Sequence, residues 1–270
     1  MQRITGNVFV GTNICNHSFV KTKDGVVMID TPSVPGAALA WRSAIAAYGP
    51  VRYLVNTEGH LDHFGGNYFF DAAIVAHEGT RVAVQAASLG DFVQMVAAAA
   101  PGEAPLPDGF SFPVPTITFS HTLTLYIGDH TFRLLHMPGH TPSQSVVYVP
   151  EERVLFTGDN VVNKVMPFFH QAMPMEWLES LEKLMGLDID IVVPGHGAVC
   201  DKSGIPEMSA TVHTWIDAVR GAIGKGMTSE EAQANISFLG RYPDPHADEA
   251  TRSFFQRMGI ARLYEVLKGG

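Results

Sequence analysis

Four short apolar segments of the sequence each lead directly into a polar turn that contains glycine or histidine. The segments are residues 52–55, 132–137, 154–156 and 191–193, and their turns are residues 56–60, 138–140, 157–159 and 194–196. Short apolar runs bounded by turn residues predict buried strands. When such strands run through packed sheets, their carboxyl ends gather at one edge, where α/β folds bind ligands. We therefore expect the four turns to meet in space.

Other patterns predict further strands and helices. Strands are expected at 8–10, 18–21 and 26–30, and helices at 37–48, 177–185 and 248–268. The pattern between the first of these helices and Gly195 predicts alternating strands and helices, while Thr228 and Glu231 have the spacing of a capping box. The stretch 101–115 contains five prolines and two phenylalanines. A loop of this length inside a compact domain is typical of a lid or a substrate wall.

Composition limits the class of partner. Hydrophobic residues make up 46% of the 270, enough for a substantial core, and the net charge of −9 disfavours nucleic acid. The longest apolar run is far shorter than a membrane span, and the N-terminus lacks an apolar signal core. Two cysteines are too few for a disulfide framework. We expect a cytoplasmic protein that acts on a small molecule, with neither nucleic acid nor membrane as partner; assembly into homo-oligomers is left open.

The densest cluster of candidate ligands runs from Glu58 to His63. Glu58 and His60 are two residues apart, so in extended backbone their side chains point the same way. Asp62 and His63 are neighbours and point toward a second position. Imidazole and carboxylate together suit zinc, iron or manganese better than calcium or magnesium. With the three later turns, this cluster favours a metal site over a helix end with solvated histidines.

These residues resemble the signature of the metallo-β-lactamase-fold hydrolase superfamily, H-x-H-x-D-H followed by H, D and H. Glu58 stands in place of the first histidine, and the later positions are His140, Asp159 and His196. The resemblance covers roughly residues 4–200. It implies an α/β fold, a four-layer αβ/βα sandwich of two mixed sheets with helices outside.

The resemblance also implies one domain over residues 1–270, with a helical C-terminal extension from about residue 203. It implies two divalent metal ions held by two groups of three ligands around one shared aspartate. The groups are Glu58, His60 and His140 for the first metal, Asp62, His63 and His196 for the second, with Asp159 bridging them. Zinc is expected first, although the extra carboxylate of Glu58 also favours iron or manganese. Asp30 matches a buried aspartate that holds a ligand or the loop backbone.

The expected reaction is hydrolysis of an ester, lactone, thioester or similar activated bond. Two ions make hydroxide available near neutral pH, and Asp62 would accept or orient the proton of the bridging water. Two other functions stay open. One is a non-hydrolytic metal-binding or ligand-sensing protein on the same fold, and the other is a β-lactamase-like amidase.

Side chains in segments that should flank the site predict a small, partly apolar or aromatic substrate. These are Phe110, Phe112, Met166, Phe168, Phe169, His170 and Met173. Each taken alone also fits packing in the core or a lid. His170 either contacts the leaving group or is an ordinary surface histidine, and Cys200 lies either near the second metal or as a buried thiol.

Overall fold

The computed structural model describes residues 1–103, 106–242 and 249–269, and most of its strands belong to two sheets. The first sheet contains β1 (Gln2–Arg3), β2 (Val8–Thr12), β3 (Asn16–Thr22), β4 (Gly25–Ile29), β5 (Val51–Asn56), β6 (Ala73–His77) and β7 (Ile117–Phe119), side by side in chain order. Strands β1 to β4 pair antiparallel, and β4 to β7 pair parallel.

The second sheet is built from strands later in the chain. These later strands are β8 (Thr122–Ile127), β9 (His130–His136), β10 (Ser145–Val149), β11 (Val154–Phe156), β12 (Val162–Asn163), β13 (Ile191–Val193), β14 (His196–Gly197) and β15 (Cys200–Asp201). Six of them form the sheet in the order β15-β13-β11-β10-β9-β8, and β12 pairs with β14 in a separate ribbon.

Helices cover the outer faces of the sheets. They are α1 (Pro35–Ile45), α2 (Leu61–Phe64), α3 (Glu78–Ala86), α4 (Leu89–Ala99), α5 (Pro174–Met185), α6 (Gly204–Gly224), α7 (Ser229–Asn235) and α8 (Glu249–Gly269). In the described ranges no single helix is long and apolar enough for a membrane span. Only α3 and α4 taken together reach that length and composition, and they meet at an 85° bend.

Alternation along the strands builds three apolar clusters. In β4, Val27 and Ile29 face the second sheet, while Val26 and Met28 pack with side chains of α1 and α4. In the second sheet, Leu155 turns outward and packs with α5, α6 and α8. A strand that is buried on both faces has a continuous run of apolar residues, as β4 does. The predicted four-layer αβ/βα sandwich is therefore confirmed.

The predicted alternation of strands and helices is wrong between Ile117 and Phe156. Five strands, β7 to β11, follow one another there without an α-helix. Strands β8 to β11 pair antiparallel through short connections, such as the Gly128-Asp129 turn, whereas a crossover helix is needed only between parallel strands. The predicted helix 37–48 is α1 followed by a 3-10 turn, Ala46–Tyr48.

At the C-terminal end, the capping box of Thr228 and Glu231 is present at the start of α7. The predicted start of the last helix, residue 248, lies outside the described residues, and the described part begins at Glu249. Helices α6 and α8 pack against α5 through a buried set that includes Trp177 and Trp215; we call this set the C-terminal cluster.

We predict that Trp215→Ala lowers the free energy of unfolding by about 3–5 kcal/mol. The Trp215 side chain is fully buried and stacks on Phe169 and Phe238, with ring centroids 4.6 and 4.3 Å away. Urea unfolding followed by circular dichroism measures the loss. Tyr126→Ala is the control, because Tyr126 is 79% exposed and its loss should cost less than about 0.5 kcal/mol. Equal stability of the two variants would contradict the packing described for α6.

Candidate metal centre

The structure brings all seven candidate ligands to one edge of the sandwich. Glu58 and His60 lie between β5 and α2, and Asp62 and His63 lie in the single turn of α2. The other three follow or join strands of the second sheet: His140 between β9 and β10, Asp159 after β11, and His196 after β13. The strand ends thus gather the turns as the sequence predicts.

The first group consists of Glu58, His60 and His140. Glu58 Oε2 lies 2.5 Å from His60 Nδ1 and 3.5 Å from His140 Nε2, and the two imidazole nitrogens are 3.2 Å apart. The other oxygen, Glu58 Oε1, accepts the backbone N–H of Asp159 at 3.1 Å. Glu58 is fully buried, so its carboxylate is held between two turns and away from solvent.

The second group consists of Asp62, His63 and His196. Asp62 Oδ2 lies 3.1 Å from His196 Nε2 and 3.6 Å from His63 Nε2. Ligands bound about 2.0–2.1 Å from a tetrahedral ion stand roughly 3.3–3.4 Å apart. The separations in this group are therefore close to those of a tetrahedral site.

Asp159 lies between the two groups. Its Oδ2 is 3.6 Å from His140 Nε2 of the first group and 3.4 Å from His196 Nε2 of the second. Its Oδ1 is 3.3 Å from His63 Nε2. One carboxylate therefore faces imidazoles of both groups, which is the placement that a bridging ligand requires.

Unpaired polar atoms test whether these residues suit a metal. Glu58 Oε2, His63 Nε2 and Asp159 Oδ1 are buried and, apart from their contacts with other candidate ligands, have no hydrogen-bond partner. Buried polar atoms are normally satisfied, and leaving one unpaired costs about 1–3 kcal/mol. All three atoms face the groups. The donor set, three carboxylates and four imidazoles, fits divalent transition metals.

Electrostatics at the site favours bound positive charge. Burial alone would lower the pKa of His196, but Asp159 and Asp62 outweigh burial and raise that pKa to about 10. Burial would raise the pKa of Asp159, yet His196 and His63 hold that pKa well below its usual range. His196 therefore holds a proton when no metal is bound, and a metal ion has to displace that proton because it binds the deprotonated ring.

Asp30 accepts hydrogen bonds from one candidate ligand and from one turn. Its Oδ2 accepts hydrogen bonds from His63 Nδ1 at 2.9 Å and from Thr57 Oγ1 at 2.7 Å, and its Oδ1 accepts the backbone N–H of Thr57 at 2.8 Å. With Nδ1 used as a donor, Nε2 is the nitrogen of His63 that faces the second group. Such partners fix the tautomer and direction of a ligand.

Further supporting residues were missed by the sequence analysis. Asn160 Oδ1 accepts the backbone N–H of His140 at 3.0 Å, and the Cys15 thiol donates to the Asp62 carbonyl at 3.0 Å. Asn160 directly follows Asp159, which was the available signal, whereas the position of Cys15 carried none. Cys200 lies in β15 against the C-terminal cluster, and among the described residues it joins neither metal group.

Exposure marks the open side of the site. The Glu58 and His63 side chains are fully buried, whereas those of Asp62, His60 and His196 keep 18%, 19% and 25% of their surface exposed. A small molecule would therefore approach past these three side chains.

The residues predicted as substrate contacts divide into two sets. Phe169 is fully buried against Trp177 and Trp215, which corrects its assignment as a substrate contact. Phe110 is also in the core, stacked on Phe92 at 5.3 Å, and Phe112 packs edge-on against Phe64. The loop 101–115 thus packs against α4 and α2, although its residues 104 and 105 lie outside the described ranges.

The other set lies in the segment that leads to α5. Met166 is half-buried against the C-terminal cluster, and Met173 immediately precedes α5 with its N–H bonded to the Gly139 carbonyl. His170 lies beside the first group, with its ring centroid 4.8 Å from that of His60. Burial, together with His60 and His140, lowers the pKa of His170 to about 3, so its ring is neutral. His170 is therefore not an ordinary surface histidine.

Comparison with known proteins gives relatives of several activities. The chain is 30% identical over 183 residues to the 2,4-dinitroanisole O-demethylase alpha subunit of Nocardioides sp. (strain JS1661), covering 64% of this chain and 49% of that protein. It is 27% identical over 156 residues to a Homo sapiens acyl-coenzyme A thioesterase, covering 53% and 54%. It is 26% identical over 216 residues to the linear primary-alkylsulfatase of Pseudomonas sp. (strain ATCC 19151), covering 66% and 40%. The chain spans between 40% and 54% of the length of these curated relatives.

Comparison with solved structures and with a family model identifies the fold and the family of the chain. A metallo-beta-lactamase family protein from Thermus thermophilus superposes with a TM-score of 0.70 at 20% identity, covering 98% of this chain and 95% of that one, which shows the shared fold. The family model of the metallo-beta-lactamase superfamily matches residues 10–196. That range is more than half of the chain and contains all seven candidate ligands, so the chain belongs to the metallo-beta-lactamase superfamily.

Proposed function

We propose that this protein is a dinuclear metal-dependent hydrolase of small, partly apolar or aromatic esters, thioesters or lactones. The observation that carries the proposal is the arrangement of two three-ligand groups that meet at Asp159, with unpaired buried atoms facing both. Relatives named as an acyl-coenzyme A thioesterase and a linear primary-alkylsulfatase support hydrolysis. Zinc is the first candidate metal, followed by iron and manganese.

Each of three residues at this site has a different proposed role. When bound, two divalent ions would supply an activated water and polarise the substrate oxygen. Asp62 Oδ2 faces His63 and His196, which leaves Oδ1 to accept the proton of the attacking water. Asp30 keeps His63 in place, and Glu58 ties the first group to the Asp159 turn through the Asp159 N–H. We also propose that the protein works in the cytoplasm.

Activity measurements distinguish two alternative functions from the proposed one. A metal-binding sensor without hydrolytic activity would bind metal but turn over none of a panel of esters, thioesters and lactones. An amidase of the β-lactamase type would cleave lactams in preference to these. We favour ester-type bonds because the curated relatives include a thioesterase and a sulfatase.

We predict about two transition-metal ions per chain in the purified protein, because the ligands form two groups around one shared carboxylate. His140→Ala and His196→Ala each remove one ligand from a different group and should lower the content to about one ion or less. Elemental analysis measures the ratio, and the panel of esters, thioesters and lactones measures activity.

The matched control is His213→Ala, because His213 is exposed on α6 and belongs to neither group. Its metal content and activity should equal those of the wild type. A wild-type ratio well below one that zinc, iron or manganese does not restore would rule out the dinuclear site.

We predict that Asp30→Asn weakens metal binding by about 10- to 100-fold while the chain stays folded. Both oxygens of Asp30 accept hydrogen bonds, so an amide NH₂ in either orientation would face a donor from Thr57 or His63. Competition with a chelator measures the affinity. Asp129→Asn is the control, since Asp129 also contacts a histidine, His130, but belongs to neither metal group. Equal metal affinity in the two variants would show that Asp30 does not support metal binding.

We predict that Glu58→His still binds metal but shifts its preference toward zinc over iron(II) and manganese(II). The exchange replaces an anionic oxygen ligand with a neutral nitrogen, and carboxylate favours the harder ions. Metal competition followed by elemental analysis measures the shift, and Glu58→Gln, which removes the charge but keeps the length, separates charge from ligand type. An unchanged preference in Glu58→His would show that residue 58 is not a ligand.

A further inference from the structure

A row of three aromatic rings runs from the first metal group to the C-terminal helix. The His170 ring, which lies beside His60, stacks on Phe168 with centroids 3.9 Å apart and planes at 25°. Phe168 in turn meets Phe255 of α8 edge-to-face at 4.7 Å and 66°. We call Phe168, His170 and Phe255 the aromatic row.

The segment that carries Phe168 and His170 is anchored in the core. Phe169, between them in sequence, is fully buried against Trp177 and Trp215. Its carbonyl accepts the N–H of Ala172, whose side chain is also buried. Because Phe169 is directed into the C-terminal cluster, its two neighbours are presented away from that cluster, and they stack on each other.

Helix α8 is docked closely against the same segment. A Cβ built on Gly259 would lie 3.0 Å from Trp215 Cζ3 and 3.2 Å from Phe169 Cβ, so the helix backbone approaches these rings. The Arg262 guanidinium Nε donates to the Ala172 carbonyl at 3.2 Å. The position of Phe255 relative to Phe168 is therefore set by packed contacts.

The far end of the aromatic row is open to solvent. Phe255 is 39% exposed and its neighbour Phe254 is 52% exposed, and both are among the large hydrophobic side chains that the described fold leaves uncovered. Scattered exposed hydrophobic residues need no explanation, but this pair continues a line of rings that ends at a candidate ligand. That continuity points to an occupant that reaches the metal groups.

Two arginines of α8 already have partners, which favours a neutral occupant. Arg252 Nη1 donates to the Leu239 and Tyr242 carbonyls, and Arg262 Nη1 pairs with Glu265. These contacts hold both side chains to other parts of the chain. His170 Nδ1 is buried without a hydrogen-bond partner and offers one polar contact at the inner end.

We infer that the aromatic row binds a neutral aromatic group of the substrate, so that α8 sets specificity for aromatic over saturated esters. This inference rests on the function proposed above, in which the scissile bond lies at the two metal groups. Aromatic rings gain from offset-stacked and edge-to-face contacts with other rings beyond the apolar area that they bury. A saturated ring of the same size buries similar area without that gain.

Binding of two neutral alcohols tests the inference without turnover. Benzyl alcohol and cyclohexylmethanol are titrated into the protein as purified, and dissociation constants are measured by ligand-observed NMR. The wild type should prefer benzyl alcohol, and Phe255→Ala and Phe168→Leu should reduce this preference about three- to tenfold. His170→Phe keeps a ring in place and should retain the preference.

Phe254→Ala is the matched control, because Phe254 is the adjacent, more exposed ring of the same helix and its ring contact is to Phe255. It should keep the wild-type preference. Equal binding of the two alcohols to the wild type, or an unchanged preference in both Phe255→Ala and Phe168→Leu, would overturn the inference. Circular dichroism of each variant confirms that the fold is retained.

Turnover of benzyl acetate and cyclohexylmethyl acetate by the metal-loaded protein separates the two proposals. We expect Phe255→Ala to raise KM for benzyl acetate with little change in kcat, since the residue lies away from the metal groups. If the alcohol preference depends on the aromatic row but neither ester is hydrolysed, the result supports binding of an aromatic group by the row and contradicts the proposed ester hydrolysis. Hydrolysis of both esters at equal kcat/KM in every variant would support the proposed hydrolysis and contradict a role of the aromatic row in specificity.

Discussion

The constraint on which this structure depends is the clustering of three carboxylates at one edge of the sandwich, two of them buried and the third 18% exposed. Glu58, Asp62 and Asp159 lie within a few ångströms of one another through shared imidazoles, and Glu58 has no exposed surface. Uncompensated buried charge is far more expensive than any single packing contact. Cations at the two groups relieve this cost, so bound metal should stabilise the folded chain as well as equip it for chemistry.

Hydrogen bonds between the sheets hold the charged turns at this edge. Ser145 of β10 donates its N–H to the Thr57 carbonyl after β5, and Asn16 of β3 donates its N–H to the Gly195 carbonyl. His196 Nδ1 is 3.0 Å from the Ile14 carbonyl, which leaves Nε2 toward Asp62 and Asp159. The ligands therefore sit on turns joined across the two sheets, and a shift of one sheet against the other would disturb both metal groups.

The sequence predicts which candidate ligands come together better than it predicts what surrounds them. Polar turns after short strands predict where the candidate ligands meet, because strand ends gather at one edge whatever the exact register. The substrate side is less predictable, since Phe168, Phe169 and His170 are consecutive and only tertiary packing decides which ring enters the core. Phe255 lies 85 residues after His170 in a separate helix, so no local pattern connects it to the site. Likewise, antiparallel hairpins and parallel crossovers share the same strand composition, which is why the predicted alternation failed between β7 and β11.

Glu58 is a candidate ligand whose hydrogen bonds give it a second role. Its two oxygens have different partners: Oε2 faces His60 and His140, while Oε1 accepts the Asp159 N–H. A histidine also has two ring nitrogens, but they lie on opposite sides of a rigid ring, so one cannot bind the first metal while the other reaches the same backbone N–H. The carboxylate therefore couples the first group to the turn that presents the shared aspartate. Its charge also adds to that of Asp159, so the two turns come together at lowest cost when a cation lies between them.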